Sequence, residues 1–214
     1  MEISTKKQLA IILSQLKGFE KPKIRLEQYS TEADIAAEII WFAFYRREIK
    51  GKVIADLGCG TGTLGLSTLL MGAKKVYFVD IDEKAIDIAK ENLKFLEEKL
   101  GVKLSKKAVF VVNDVKDFDE KVEVVMQNPP FGIKGERHKD REFLEKAFDI
   151  AEVVYSFHKA ESKQFIAKFS GDKGWKVTDY WKFNWPLKQT MKYHEKRIQY
   201  IPVGCWRLVK LLNN

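Results

Sequence analysis

A chain of 214 residues that is 45% hydrophobic and 32% charged describes a soluble globular protein, and its length suits one α/β domain. The formal net charge of +8 points to an anionic partner, nucleic acid first, although a solvated lysine-rich surface gives the same sum. Cys59 and Cys205 form no C-x-x-C pair and never cluster with the three histidines, so neither a metal site nor a disulfide framework is expected.

The opening stretch, MEISTKKQLAIILSQLKGFE, reads as an amphipathic helix with Ile3, Leu9, Ile12, Leu13 and Leu16 near one face. Lys17, Glu20 and the lack of a small-residue cleavage site argue against a signal peptide. With no run of 18 apolar residues, no membrane span is expected and a cytoplasmic protein is predicted. After a polar connection, Thr31 and Asp34 have capping-box spacing, which predicts a second helix through 33–48. Strands are then expected over 52–58, 74–82, 108–114 and 122–128. Helices are expected over 61–72, closed by Gly72, and over 83–100, closed by Gly101. Residues 141–158 hold a helix running into a strand, and two β-rich runs in the tail form a hairpin-like pair that finishes the sheet. Apolar strands alternating with amphipathic helices imply a parallel sheet covered on both faces, in a single domain.

The segment DLGCGTGTLG, residues 56–65, leaves the first strand and opens a helix. Gly60-x-Gly62-x-x-Gly65 is the dinucleotide fingerprint, and Asp80, with Ile81 beside it, stands where a ribose-binding carboxylate belongs. A nicotinamide or flavin enzyme fits that spacing. Gly58-x-Gly60-x-Gly62 preceded by Asp56 fits S-adenosylmethionine, and charge separates the two ligands. A pyrophosphate favours glycine amides without a competing negative charge. Adenosylmethionine carries an ammonium and a sulfonium, which an acid such as Asp56 attracts. Asp114, ending the third strand with Asn113 as neighbour, is placed to meet the adenine edge. The loop favours adenosylmethionine.

The stretch VEVVMQNPPFG, residues 122–132, is a buried strand that stops at Asn128 and is locked at once by Pro129 and Pro130. Here the sequence resembles the class I amino-methyltransferases, which carry an Asp/Asn/Ser-Pro-Pro-aromatic motif at this strand end. The resemblance implies a Rossmann-like sheet, mostly parallel with a terminal antiparallel strand, helices on both faces and an N-terminal helical extension. The chemistry accounts for the residue types. An exocyclic adenine amine is a poor nucleophile because its lone pair is delocalised into the ring. Acceptors on the Asn128 side chain and the Pro129 carbonyl hold that nitrogen nearer to tetrahedral, and the prolines fix their directions before substrate arrives. Phe131 offers a face for a flipped base.

The segments GFEKPKIRLEQYST, ADLGCGTG, FVDIDE, QNPPFG and VYSFHK together resemble the methyltransferase-like protein five family, across nearly the whole chain. The resemblance implies an adenine-N6 methyltransferase of small-subunit ribosomal RNA. It also implies that residues 1–50 close over the cofactor, that 51–214 form the catalytic core, and that a small zinc-binding activator protein is a partner. Gln28, Tyr29 and Thr31 are implied to enclose the cofactor, and Gly58, Thr61, Thr63, Asp80 and Asp114 match its remaining positions.

From Trp181 onward, seven basic residues stand against Glu195 alone, interleaved with Trp181, Phe183, Trp185, Tyr193 and Trp206. Lys188, Lys192, Lys196 and Arg197 are expected to guide RNA, with some of the tryptophans packing the last strands. KGERHKDR, after the motif, is expected to be a loop over the substrate opening. His158 ends a strand beside the crevice and is expected to contact substrate. Two other readings remain: protein glutamine methylation, whose amide nitrogen is delocalised in the same way, and a non-catalytic adenosylmethionine- or RNA-binding module.

Overall fold

The computed structural model describes residues 3–20, 22, 23, 26–28, 30–131, 139–188 and 198–211. Seven strands form one sheet in the order β3-β2-β1-β4-β5-β7-β6. β1 (Val53–Leu57), β2 (Lys75–Asp80), β3 (Ala108–Val112), β4 (Val124–Gln127) and β5 (Val153–Lys159) run parallel. β6 (Trp175–Lys188) and β7 (Ile198–Lys210) are the long hairpin, and β7 inserts antiparallel between β5 and β6. Pro202 lies just past Val203, the last β7 residue that pairs with β5, so the missing amide costs no bond on that side.

Side chains alternate across the sheet. Ile54, Val76, Phe78, Val124, Met126, Tyr155 and Phe157 pack under α1 (Lys6–Leu13), α2 (Ala33–Tyr45), α3 (Thr63–Leu70) and α4 (Glu83–Leu100). Ala55, Leu57, Val79, Val125 and Val154 pack under α5 (Lys139–Ile150) and α6 (Lys163–Asp172). The predicted helix over 83–100 has the observed bounds, with Asp82 capping its start and Gly101 (φ 64°) its end. α6 was not expected from the pattern. It buries only Ile166 and Ser170, too narrow a stripe to show a period.

Two N-terminal expectations change. α1 ends at Leu13, where Gln15 N and Leu16 N reach back only three residues, to Ile12 O and Leu13 O, and the Lys17 peptide then bonds Asn92. α2 has Glu32 as its N-cap with no side-chain bond to the helix, so the Thr31–Asp34 capping box does not form. The Thr31 hydroxyl is engaged by Asn128. No helix among the described residues is long and apolar enough to cross a membrane.

Candidate active site

The glycine loop follows β1 because α3 must start directly against the sheet. A Cβ on Gly65 would stand 2.4 Å from the Phe78 ring and 3.0 Å from Asp56 Oδ2, so only glycine allows this helix–strand approach. Asp56, 1% exposed, accepts the Gly65 amide at 2.7 Å. Burial pushes its carboxyl up to about 7; the Gly65 amide opposes this and the charge of Asp80 adds to it. Asp80 reaches back to the loop, with Oδ2 accepting from Gly60 N at 2.8 Å and Oδ1 from Asp82 N at 2.9 Å. Burial raises its carboxyl too, against those two amides.

An open crevice lies at the C-terminal ends of the parallel strands. It gathers Gln28, Gly58, Gly60, Asp80, Ile81, Asp114, Asn128 and Pro130 from the sequence reading. A smaller polar cleft beside it adds Thr31, Asp56, Thr61 and Thr63. Gly62 caps α3 with φ 87°, so its part is to turn the chain. Asn113 does not line the crevice; its Oδ1 takes the Asp114 amide at 2.9 Å.

Asn128 touches both cavities. Its Nδ2 donates to Thr31 Oγ1 at 3.2 Å, and its buried Oδ1 has no hydrogen-bond partner among the described residues. A buried acceptor left open is costly unless something uses it. Pro129 is buried and Pro130 half-buried at the crevice. Phe131 is 7% exposed and packs into the core beneath the N-terminal helices, so its ring presents no open face here.

His158 departs from expectation. It is 1% exposed, lines neither cavity and lies edge-on to Trp206 at 5.7 Å. Burial pushes its imidazole down to about 3, so the ring is neutral. Gln127 Nε2 donates to Ser156 Oγ at 2.9 Å, and that hydroxyl pairs with His158 Nε2, 2.6 Å away. Its Nδ1 stands 3.9 Å from Asp140 Oδ2. His158 is an internal link beneath the Asn-Pro-Pro turn, sealed from both cavities in this structure.

Tyr29, Lys192, Lys196 and Arg197 lie outside the described residues, as do 134–138 of the KGERHKDR segment; of Lys188 only the backbone is described, at the end of β6. Of the tail aromatics, Trp185 and Trp206 are each 1% exposed. Arg207 is buried too, in a bidentate pair with Glu48 that also takes the Tyr155 hydroxyl at 2.5 Å. Sequence reasoning missed Phe19, Ser30 and Phe143. A Cβ on Gly58 (φ 65°) would stand 2.8 Å from Phe143, and one on Gly60 would stand 3.2 Å from Phe19. Both rings reach the loop from distant segments, and nothing local to them signals it. No cluster of three or more metal-ligating side chains occurs among the described residues.

An open βαβ sheet with a glycine loop, acidic ends on β1 and β2 and an Asn-Pro-Pro turn on β4 defines a class I methyltransferase. The donor set suits adenosylmethionine: Asp56 lies beside the loop, Asp80 lines the crevice, and glycine Cα atoms form the floor under Phe19 and Phe143. The family model of the methyltransferase small domain matches residues 29–152. The rRNA N(6)-adenosine-methyltransferase METTL5 of Danio rerio is 34% identical, over 89% of this chain and 92% of its own. Protein MJ0284 of Methanocaldococcus jannaschii is 36% identical, over 96% of this chain and 94% of its own. The crystal structure of a candidate RNA methyltransferase from Pyrococcus horikoshii superposes with a TM-score of 0.86 at 42% identity, covering 99% of both chains. The chain belongs to the methyltransferase-like protein five family of RNA adenine-N6 methyltransferases, and its cofactor is S-adenosylmethionine.

Proposed function

We propose that this methyltransferase places a methyl group on N6 of an adenine in small-subunit ribosomal RNA. The observation that carries the reading is the open, buried Asn128 Oδ1, aimed by the Thr31 hydroxyl bond on the amide's other end. Adenosylmethionine supplies an electrophilic methyl on its sulfonium. The chain's residues do the remaining work. Asn128 Oδ1 and the Pro129 carbonyl accept the two hydrogens of the adenine amine and draw its lone pair out of the ring. The proline rings hold both acceptors in place beforehand, so no reorganisation accompanies transfer. Gln28, Tyr29 and Thr31 enclose the cofactor; Asp56 faces its ammonium, Asp80 its ribose and Asp114, beside Asn113, its adenine. Because Phe131 is buried, it braces the turn in this reading, and base stacking falls to residues nearer the opening.

The names of the relatives support RNA as substrate, and the basic residues Lys188, Lys192, Lys196 and Arg197 supply phosphate contacts. A small zinc-binding activator is the proposed partner. β3 is an edge strand of five apolar, part-exposed residues, which offers unpaired backbone to a second chain.

The test is methyl transfer from labelled adenosylmethionine to unmodified small and large ribosomal subunits in parallel, with RNA and protein counted separately. Label in N6-methyladenosine that disappears with Asn128→Ala supports the reading. Label in protein glutamine would move the activity to the amide nitrogen, and label in large-subunit RNA would overturn the subunit assignment.

A further inference from the structure

The connection between α1 and α2 comes to the crevice from outside the parallel core, and one buried side chain of α4 holds it there. Asn92 is 2% exposed and lines neither cavity. Its Oδ1 accepts from Lys17 N at 2.7 Å, while Nδ2 donates to Lys17 O at 3.0 Å and to Thr61 O at 2.9 Å. A single amide therefore grips residue 17 of the connection by both backbone groups and a carbonyl of the glycine loop. On its other side Thr61, 2% exposed, pairs its hydroxyl with Ser30 at 3.1 Å. Loop and connection are thus joined at both ends of one residue. Asn92 belongs to a buried stripe with Ala85, Ala89, Leu93 and Leu96, where an apolar residue would fill space equally well and suit a helix better. Only an amide of this length satisfies one donor and two acceptors there.

We propose that Asn92 is a positioning residue for the cofactor: it ties the shape of the glycine loop to the seating of the α1–α2 connection, so that cofactor leaves when this joint parts. The proposal rests on adenosylmethionine as the ligand and is independent of the RNA target. Adenosylmethionine touching the loop together with Gln28 and Thr31 binds the joined arrangement better than the parted one. By linkage, a weaker joint lowers its apparent affinity in proportion to the population that parts.

The test uses the full chain and adenosylmethionine itself. In Asn92→Ala, cofactor dissociation in stopped flow should be faster by about tenfold and the cofactor KM should rise by a similar factor. At saturating cofactor, kcat and the KM for RNA should stay near the parent values. Asn92→Asp keeps the acceptor for Lys17 N but sets an oxygen against the Lys17 and Thr61 carbonyls, and should speed dissociation at least as much as Asn92→Ala. In the parent, bound cofactor should slow hydrogen–deuterium exchange of the Lys17 amide. A variant with a lower ligand-free Tm but an unchanged dissociation rate would overturn the proposal and leave Asn92 a purely structural residue. So would a parent whose Lys17 exchange ignores the cofactor, a measurement that stands even if Asn92→Ala does not fold. If the parent binds no adenosylmethionine at all, the cofactor reading falls, and the joint with it.

Discussion

Asp80 and Asn128 end neighbouring regions of one crevice, yet they are held in opposite ways. Both oxygens of Asp80 already take backbone amides, from Gly60 and Asp82, so the cofactor region is a closed network before any ligand arrives. Among the described residues, the Asn128 side chain is fastened by its nitrogen and keeps its oxygen open. The difference teaches how the work is divided. The region around β1 and β2 spends its polar groups on shape, so that a bound cofactor meets a fixed cradle. The β4 end keeps one acceptor unused among the described residues, the one that the proposed function gives to the reacting amine. Below it, the Gln127–Ser156–His158 chain is buried and lines neither cavity.

The sharpest way to break this contrast is Asn128→Ala. Loss of a preorganised polar group at the reacting atom should lower single-turnover methyl transfer by about 10²–10³-fold. Cofactor affinity should change little by calorimetry; an equal loss of both would mean that Asn128 serves the cofactor.

Asp80→Asn should do the reverse. It removes an acceptor from a loop amide and, in the proposed function, from the ribose, so cofactor affinity should fall by about tenfold or more. Saturating cofactor should then restore most of the rate. A kcat defect that persists at saturation would place Asp80 in the chemistry.

Asp56 sharpens the comparison through pH. Its folded carboxyl is raised to about 7, above the unfolded value, so the folded state holds the extra proton between roughly pH 4 and 7. This contribution to stability is therefore present at low pH and is lost as pH rises through 7. A cationic ligand favours the ionised form, so adenosylmethionine affinity should increase several-fold from pH 6 to 7.5. Asp56→Asn should flatten both trends, and a pH-independent affinity in the parent would remove Asp56 from contact with the ammonium.

The smallest functional effect is expected at His158. His158→Phe breaks a buried hydrogen bond and should cost about 1–3 kcal/mol in urea unfolding. The KM for RNA should be unchanged, and a raised one would return His158 to the substrate surface.

The cofactor cradle was legible because its parts are close in sequence. A glycine loop and strand-end acids sit at fixed offsets along alternating β and α segments, and each glycine answers a local demand of the turn. The Asn-Pro-Pro turn was legible for the same reason, since proline restricts its own backbone. What misled was exposure. Whether His158, Trp206, Arg207 or Phe131 faces RNA or core depends on which strand lies beside it, and β7, from the far end of the chain, closes over β5.

By itself, the sequence determined the periodic elements, the loop that admits a cofactor and the rigid turn that ends β4, because these follow from neighbours within about 20 residues. Tertiary structure alone decided that Thr31 orients Asn128 across 97 residues, that Asn92 grips the Lys17 peptide across 75, and that His158 is sealed inside. Those contacts join groups whose backbones carry no local sign of each other. Only burial, which removes water as the alternative partner, makes each of them worth forming.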